Sequence, residues 1–278
     1  MPRFLLSLIR GLQALLMLLA CCLWPGLPAW AADPASPSEA VVRVPILVYH
    51  RFGPEVADSM TVRTRTVEAQ LDLLARSGHT VIPLQWLVDY LQGRRPSLPA
   101  GAVVITVDDG HASVFTELAP LVQRRHIPVT LFIYPSAISN ASYAMTWPQL
   151  QTLQATGLFD VQSHTYWHPN FARERRQRTA DDYRDFVQHQ LRLSRTVLEK
   201  RMGHPITQLA WPFGLYDEVT IEEAEAAGYT AALTLRAQPA SQHDKLLELP
   251  RFLMVEPPNA SWFQRIIDTA SPKPISAP

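Results

Sequence analysis

The chain has 278 residues, 47% hydrophobic and 18% charged, with 25 Lys plus Arg set against 25 Asp plus Glu. That length supports one sizeable core. A net charge of zero leaves no basic surplus for gripping nucleic acid, so no nucleic-acid partner is expected. The 24 prolines fall between apolar runs rather than in one low-complexity block.

Arg3 and Arg10 precede an apolar run from Leu12 to Leu23, which Pro25-Gly26 and Pro28 interrupt. Ala29-Trp30-Ala31 then offers the small-x-small pattern of a signal-peptidase site. A signal peptide is expected over 1–31, and the periplasm or the cell exterior as the destination. The apolar run is too short to span a bilayer comfortably. A second reading stays open: Leu18-Leu19-Ala20-Cys21 resembles a lipobox, and lipidation of Cys21 would anchor the protein to the membrane. Both cysteines, Cys21 and Cys22, lie in this segment, so a chain cleaved at Ala31 has no disulfide and relies on its core. Residues 32–43 read as a linker, 44–270 as the folded domain and 271–278 as a disordered tail.

Val44 to His50 reads as a strand ending in a histidine, followed by a loop at Arg51-Phe52-Gly53-Pro54. A helix is predicted from Thr66 to Ser77, capped by Thr66 and stopped by Gly78. A short strand (79–83) and a helix (84–91) come next. The run Ala102-Val103-Val104-Ile105-Thr106-Val107-Asp108-Asp109-Gly110 is a buried strand that ends in two carboxylates and a glycine. Further on, the pattern predicts helix 114–125, strand 129–133, helix 147–155, strand 159–162, helix 181–202, strand 209–211, helix 216–227, strands 230–235 and 249–254, and helix 262–268. About seven strands alternating with helices argue for a parallel α/β sheet, open or closed into a barrel. Such folds carry their chemistry at strand C-termini. His50, Asp108-Asp109, His164 and Trp211-Pro212 all sit there.

Side chains alternate along a strand, so the two aspartates cannot share one packing role. One can bind a cation while the other stays ionised and accepts a proton; a plain polar turn is the competing explanation. Ser163-His164-Thr165-Tyr166-Trp167-His168-Pro169 sets two histidines four residues apart, on one face if the segment makes a helical turn. Two imidazoles, a carboxylate and an open position form a recurrent catalytic metal site. No Glu follows His164, so the His-Glu-x-x-His metalloprotease pattern is absent.

These motifs resemble the polysaccharide deacetylases of carbohydrate esterase family 4, the NodB-homology group. Thr106-Val107-Asp108-Asp109-Gly110 is similar to the first family motif, His164-Thr165-Tyr166-Trp167-His168 to the second, and Ala210-Trp211-Pro212-Phe213-Gly214 to the third. The resemblance spans Val44 to Met254 and implies a distorted (β/α) barrel of about seven parallel strands. It implies Asp108 as catalytic base and Asp109, His164 and His168 as ligands of a divalent metal. That metal is commonly zinc, with cobalt, nickel, manganese and iron as alternatives. The amide N–H near Phe213 is the implied oxyanion contact; Trp211, Pro212, Phe213 and Tyr166 are candidate sugar contacts, and Trp167 is a further aromatic near the motifs that could stack on a sugar ring, with plain packing as the competing explanation. The implied substrate is a GlcNAc-containing polysaccharide, and polysaccharide-export machinery is a partner by analogy.

Two departures matter. The third-motif arginine is Ala210 here, and Arg251 is the candidate replacement that orients the base. The family's C-terminal Leu-x-His strand is also missing, whereas Ile46-Leu47-Val48-Tyr49-His50 has that form at the start. This resembles the circularly permuted PgaB/IcaB-like branch, which acts on poly-β-1,6-N-acetylglucosamine, and makes His50 the candidate acid. Peptidoglycan, chitin oligomers, O-acetyl esters and a silent carbohydrate-binding role remain alternatives. His111, next to Gly110, is left without a role.

Overall fold

The computed structural model describes residues 41–257 and 259–271. The expected signal peptide with Cys21, the linker as far as residue 40, and residues 272–278 of the expected tail lie outside these. Ser271 is tied to the domain, its amide donating to the Arg43 carbonyl at 2.9 Å. No helix among the described residues is long and apolar enough to cross a membrane.

The described residues form ten strands: β1 (Ile46–Tyr49), β2 (Arg51–Gly53), β3 (Thr61–Arg63), β4 (Thr80–Val81), β5 (Ala102–Asp108), β6 (Val129–Ile133), β7 (Phe159–Ser163), β8 (Gln208–Ala210), β9 (Ala231–Leu233) and β10 (Phe252–Leu253). Seven run in the order β10-β1-β5-β6-β7-β8-β9, with β4 added to β5, and every pairing is parallel. Leu249 bridges Leu233 of β9 while Phe252 pairs with Leu47 of β1. The stretch 249–253 therefore touches both ends of the strand order and curls the sheet into a distorted barrel.

Alternation divides the apolar residues between two clusters. Ile46, Val104, Phe132, Ala210, Leu233 and Leu249 meet in one, with Leu84, Leu87 and Val88 of α2 (Leu84–Leu91) packed on it. Their strand neighbours Leu47, Val103, Ile105, Leu131, Val161, Leu209 and Ala232 belong to the other, larger cluster, which the outer helices cover. Thr106 and Asp108 continue the inner row of Ala102 and Val104, because residues two apart on a strand share a face. Among the outer helices, α6 (Ala180–Met202) buries Tyr183, Val187, Leu191, Leu198 and Met202, a stripe at helical spacing. Thr179 caps its start, and Gly203, at φ 75°, ends it.

Four local expectations change. Helix α1 (Thr64–Arg76) begins two residues before Thr66, whose hydroxyl donates to Glu256 instead of capping it. The helix expected over 114–125 is a π-helical turn, Val114–Leu118, followed by α3 (Ala119–Arg125). Pro120 has no N–H to continue an i→i−4 ladder, and the wider π turn absorbs the break. Arg51-Phe52-Gly53 is not a loop: it pairs with β3 as a separate two-stranded sheet. A short helix, α5 (Phe171–Arg176), follows the second histidine motif. The remaining helices, α4 (Trp147–Ala155), α7 (Glu218–Ala226) and α8 (Ala260–Ile267), fall near the expected places.

Candidate active site

The strand C-termini converge on a cleft of about 320 Å³, whose walls include His50, Asp108, Asp109, His164, His168 and Phe213. Asp108, the last residue of β5, points inward and is 2% exposed. Arg251, fully buried, arrives from the chain just before β10 and donates from Nη1 to Oδ1 and from Nη2 to Oδ2 of Asp108, each at 2.8 Å. Its Nε donates to the Thr234 carbonyl at 3.0 Å, and its guanidinium lies 5.6 Å from the Phe132 ring centroid. Burial alone would raise the Asp108 pKa, but the charge and hydrogen bonds of Arg251, with His164 and His50 nearby, together outweigh it and hold the carboxyl down at about 2. Asp108 is therefore ionised at neutral pH. The guanidinium that the resemblance places at position 210 comes instead from the stretch just before β10.

Asp109 leaves the strand with φ 73°, so it turns away from the row of Asp108. Its Oδ1 lies 3.7 Å from His164 Nε2 and 3.6 Å from His168 Nε2, and is buried with no hydrogen-bond partner among the described residues. His164 Nδ1 bonds the Ala210 carbonyl at 2.7 Å. A carbonyl only accepts, so Nδ1 carries the proton and Nε2 keeps its lone pair. Burial drives the His164 pKa down to about 3 and lowers that of His168 as well. Two neutral imidazoles and one carboxylate offer donor atoms that all lie within 4.8 Å of one another. An unpartnered buried carboxylate oxygen facing two imidazole lone pairs fits a divalent cation held by three protein ligands. It is the one such cluster of three among the described residues.

The two histidines do not meet through a helical turn. The segment bends instead, with Thr165 at φ 65° and His168 at φ 62°. His168 N donates to Thr165 Oγ1 at 3.2 Å, and Trp167 N donates to Gln190 Oε1 of α6 at 3.1 Å. Six non-glycine residues among those described have positive φ, and Asp109, Thr165, His168 and Phe213 (φ 57°) are four of them. The left-handed region costs an L-residue about 1–2 kcal/mol, and such strain concentrates where function fixes a side chain.

Of the expected sugar contacts that line the cleft, only Phe213 presents an open ring, 53% exposed and 4.6 Å from the His168 ring. Trp211 backs the cleft but is 0% exposed, and its Nε1 donates to the Leu247 carbonyl at 2.9 Å. A sheet residue one place from Ala210 must face the outer helices, so it offers no stacking face. Tyr166 turns toward His189 of α6, with ring centroids 6.3 Å apart, and does not line the cleft. Pro212 is buried at the start of the turn that carries Phe213. His50 ends β1 in the cleft wall, its Nδ1 buried without a partner among the described residues. His111 stacks on Tyr143 and bonds Ser113, outside the cleft.

The sequence reading missed Tyr134, Arg51, Met60, Leu235 and Leu253, which also line the cleft. Tyr134 directly follows β6, so the rule of strand ends would have found it. Arg51 is ion-paired with Asp58, and the unrecognised β2–β3 pair places it there.

Fold and site together define a class: a parallel α/β barrel with a candidate metal centre at its strand ends and a separate ionised carboxylate beside it. Residues 95–232 match the family model described as polysaccharide deacetylase. The chain is 24% identical to the poly-beta-1,6-N-acetyl-D-glucosamine N-deacetylase of Escherichia coli K12 over 261 residues, covering 81% of this chain and 38% of that protein. It thus spans well under half the length of that relative. It is also 24% identical to the putative polysaccharide deacetylase YxkH of Bacillus subtilis, covering 84% of this chain and 78% of that protein. Among solved structures, IcaB from Ammonifex degensii matches with TM-score 0.71 and 24% identity over 82% of this chain and 96% of that one. The Streptococcus pyogenes deacetylase PplD matches with TM-score 0.72 and 21% identity over 84% of this chain and 100% of that one. The chain thus carries a polysaccharide deacetylase domain over residues 95–232. The family match stops at residue 232 and starts at 95, so His50 and Arg251 both lie outside it.

Proposed function

We propose that this chain is an exported, metal-dependent hydrolase that removes N-acetyl groups from a poly-β-1,6-N-acetylglucosamine-like polysaccharide. The observation that carries this reading is the ionised Asp108 carboxylate, clamped by Arg251, beside the Asp109–His164–His168 cluster. The substrate follows from similarity to poly-beta-1,6-N-acetyl-D-glucosamine N-deacetylases. The pattern of residues 1–31 supports export, with lipidation at Cys21 as the anchored variant, and polysaccharide-export machinery is the partner proposed by analogy.

A divalent cation on Asp109, His164 and His168, zinc by preference for this donor set, would supply Lewis acidity toward water and the acetyl carbonyl. Asp108 takes a proton from the attacking water, and its pair with Arg251 fixes the direction in which that carboxylate presents its lone pairs. The Phe213 amide, presented by its left-handed turn, donates to the developing oxyanion. His50 gives a proton to the departing nitrogen as the amide C–N bond breaks, leaving acetate and a glucosamine residue.

The test is acetate release from poly-β-1,6-N-acetylglucosamine, chitin oligomers and peptidoglycan, with and without chelator. Chelator-sensitive release from the first supports the whole reading. Release from only one of the others replaces the substrate. No release from any, with bound metal confirmed by elemental analysis, overturns the deacetylase assignment.

A further inference from the structure

The catalytic cleft, at about 320 Å³, lies at the lower end of the ~300–1,000 Å³ typical of ligand pockets. A polymer whose reacting ring enters it must continue over one of its walls. Tyr134 and His168 form the wall shared with a second, shallower trough of about 460 Å³. That trough is lined by Tyr134, Ala137, Asn140, Tyr143, Trp167 and His168 among others, with no Asp, Glu, Lys or Arg.

Its aromatic rings are fixed from behind. The Tyr134 and Tyr143 hydroxyls share a hydrogen bond, and Tyr143 stacks on His111 at an interplanar angle of 10°. The Trp167 ring meets Phe186 edge-on with centroids 5.9 Å apart, and its amide is held by Gln190. Yet Tyr143 is 42% and Trp167 46% exposed. Large rings held rigid and left open form a ready contact surface, because ordering them costs little further entropy. A neutral pyranose has an apolar face of C–H groups that suits an aromatic ring, and polar edges that suit tyrosine hydroxyls and an asparagine amide.

The geometry points to this trough as the subsite for the sugar next to the reacting one, with Trp167 and Tyr143 as its platform. This rests on the deacetylase reading above and adds a direction to it. The chain runs from the cleft across Tyr134 and His168 toward Trp167, away from the Arg51–Met60 side. The occupant is an uncharged N-acetylhexosamine unit of the same polymer. Neither Tyr143 nor Trp167 stands in a metal or proton-transfer position.

The probe is a ladder of β-1,6-linked N-acetylglucosamine oligomers from two to five units, assayed by acetate release. In the parent protein kcat/KM rises with length once the trough is filled. In Trp167→Ala and in Tyr143→Ala that rise shrinks about tenfold, the factor that corresponds to losing ~1.4 kcal/mol of stacking. Trp167→Phe, which keeps an aromatic face, recovers most of it. Thermal midpoints measured alongside identify a variant that fails to fold, and the second position then decides. A length dependence unchanged in both alanine variants overturns the subsite while leaving the deacetylase reading intact. Absence of acetate release from every oligomer in the parent overturns that reading, and the subsite with it.

Discussion

Arg251 and Asp108 meet inside the barrel, joined by two hydrogen bonds of 2.8 Å with both side chains buried. The arginine comes from the stretch that closes the sheet, and the aspartate from the end of β5, two places along the strand order from β10. Closure of the ring and orientation of the carboxylate are thus one interaction. Replacing Arg251 by Met leaves a buried carboxylate unpaired, which costs about 3–5 kcal/mol. The expected result is a large drop in the urea midpoint together with loss of acetate release. Arg251→Lys keeps the charge but not the fork, and should recover stability more than turnover. A wild-type midpoint in Arg251→Met would show that the pair holds nothing together.

The aspartates separate by function. Asp109→Ala, His164→Ala and His168→Ala each remove a donor atom from the cluster. Metal affinity, measured by calorimetry with zinc, should fall by more than the ~10–100-fold that losing an outer partner costs. Asp108→Asn leaves all three donors and should bind metal while losing turnover ~10²–10⁴-fold. Equal metal loss in Asp108→Asn would assign Asp108 to the metal instead.

His50 carries the departing proton in the proposed mechanism. His50→Gln should lower kcat on the polysaccharide ~10²-fold or more with KM and metal content little changed. Activated acetyl esters need no proton on their leaving group, so the loss on them should be much smaller. Equal losses on both substrates would limit His50 to shaping the cleft wall.

Much of the site is legible in the sequence because chemistry interrupts apolar patterning at strand ends. Val103, Val104, Ile105 and Val107 are apolar because the strand is buried on both faces, so Asp108-Asp109-Gly110 stands out. An arginine within an apolar strand run stands out for the same reason, and Arg251 proves to be fully buried. The aromatic residues are less legible, because their direction depends on alternation and local turns. Trp211 falls on the outer face next to Ala210, while bends at Thr165 and His168 swing Tyr166 toward α6 and leave Trp167 open. Strands β2 and β3 escaped notice because three residues each are too few to show a period.

Asp160 on β7 is a stability prediction away from the site. Burial raises its pKa above the ordinary carboxyl value, although the Gln162 amide donates to it. The unfolded chain therefore releases this proton first, and stability falls as pH rises from the unfolded value through the folded one. Asp160→Asn keeps an acceptor for Gln162 and removes the charge. Its thermal midpoint should exceed that of the parent at pH 7, and the difference should vanish below about pH 4, near the ordinary Asp pKa. A midpoint gain that persists undiminished in acid would exclude charge burial as its cause.

Ala210 occupies the place where the resemblance implies an arginine. Its side chain is fully buried among Ile46, Val104, Phe132, Leu233 and Leu249, the cluster just beneath the Asp108–Arg251 pair. Ala210→Arg alone overfills that cluster and adds a second guanidinium where one carboxylate is already taken. The combined cost should exceed the ~1–3 kcal/mol of overpacking by itself. In the background of Arg251→Ala the same arginine finds both vacated volume and an unpaired Asp108. The double variant should then be more stable than the two single effects sum to, by at least ~1 kcal/mol in a double-mutant cycle. It should also release acetate faster than Arg251→Ala. Strict additivity would mean that an arginine at 210 does not reach Asp108, and that closing the barrel through Arg251 is the single route by which this chain can orient its carboxylate.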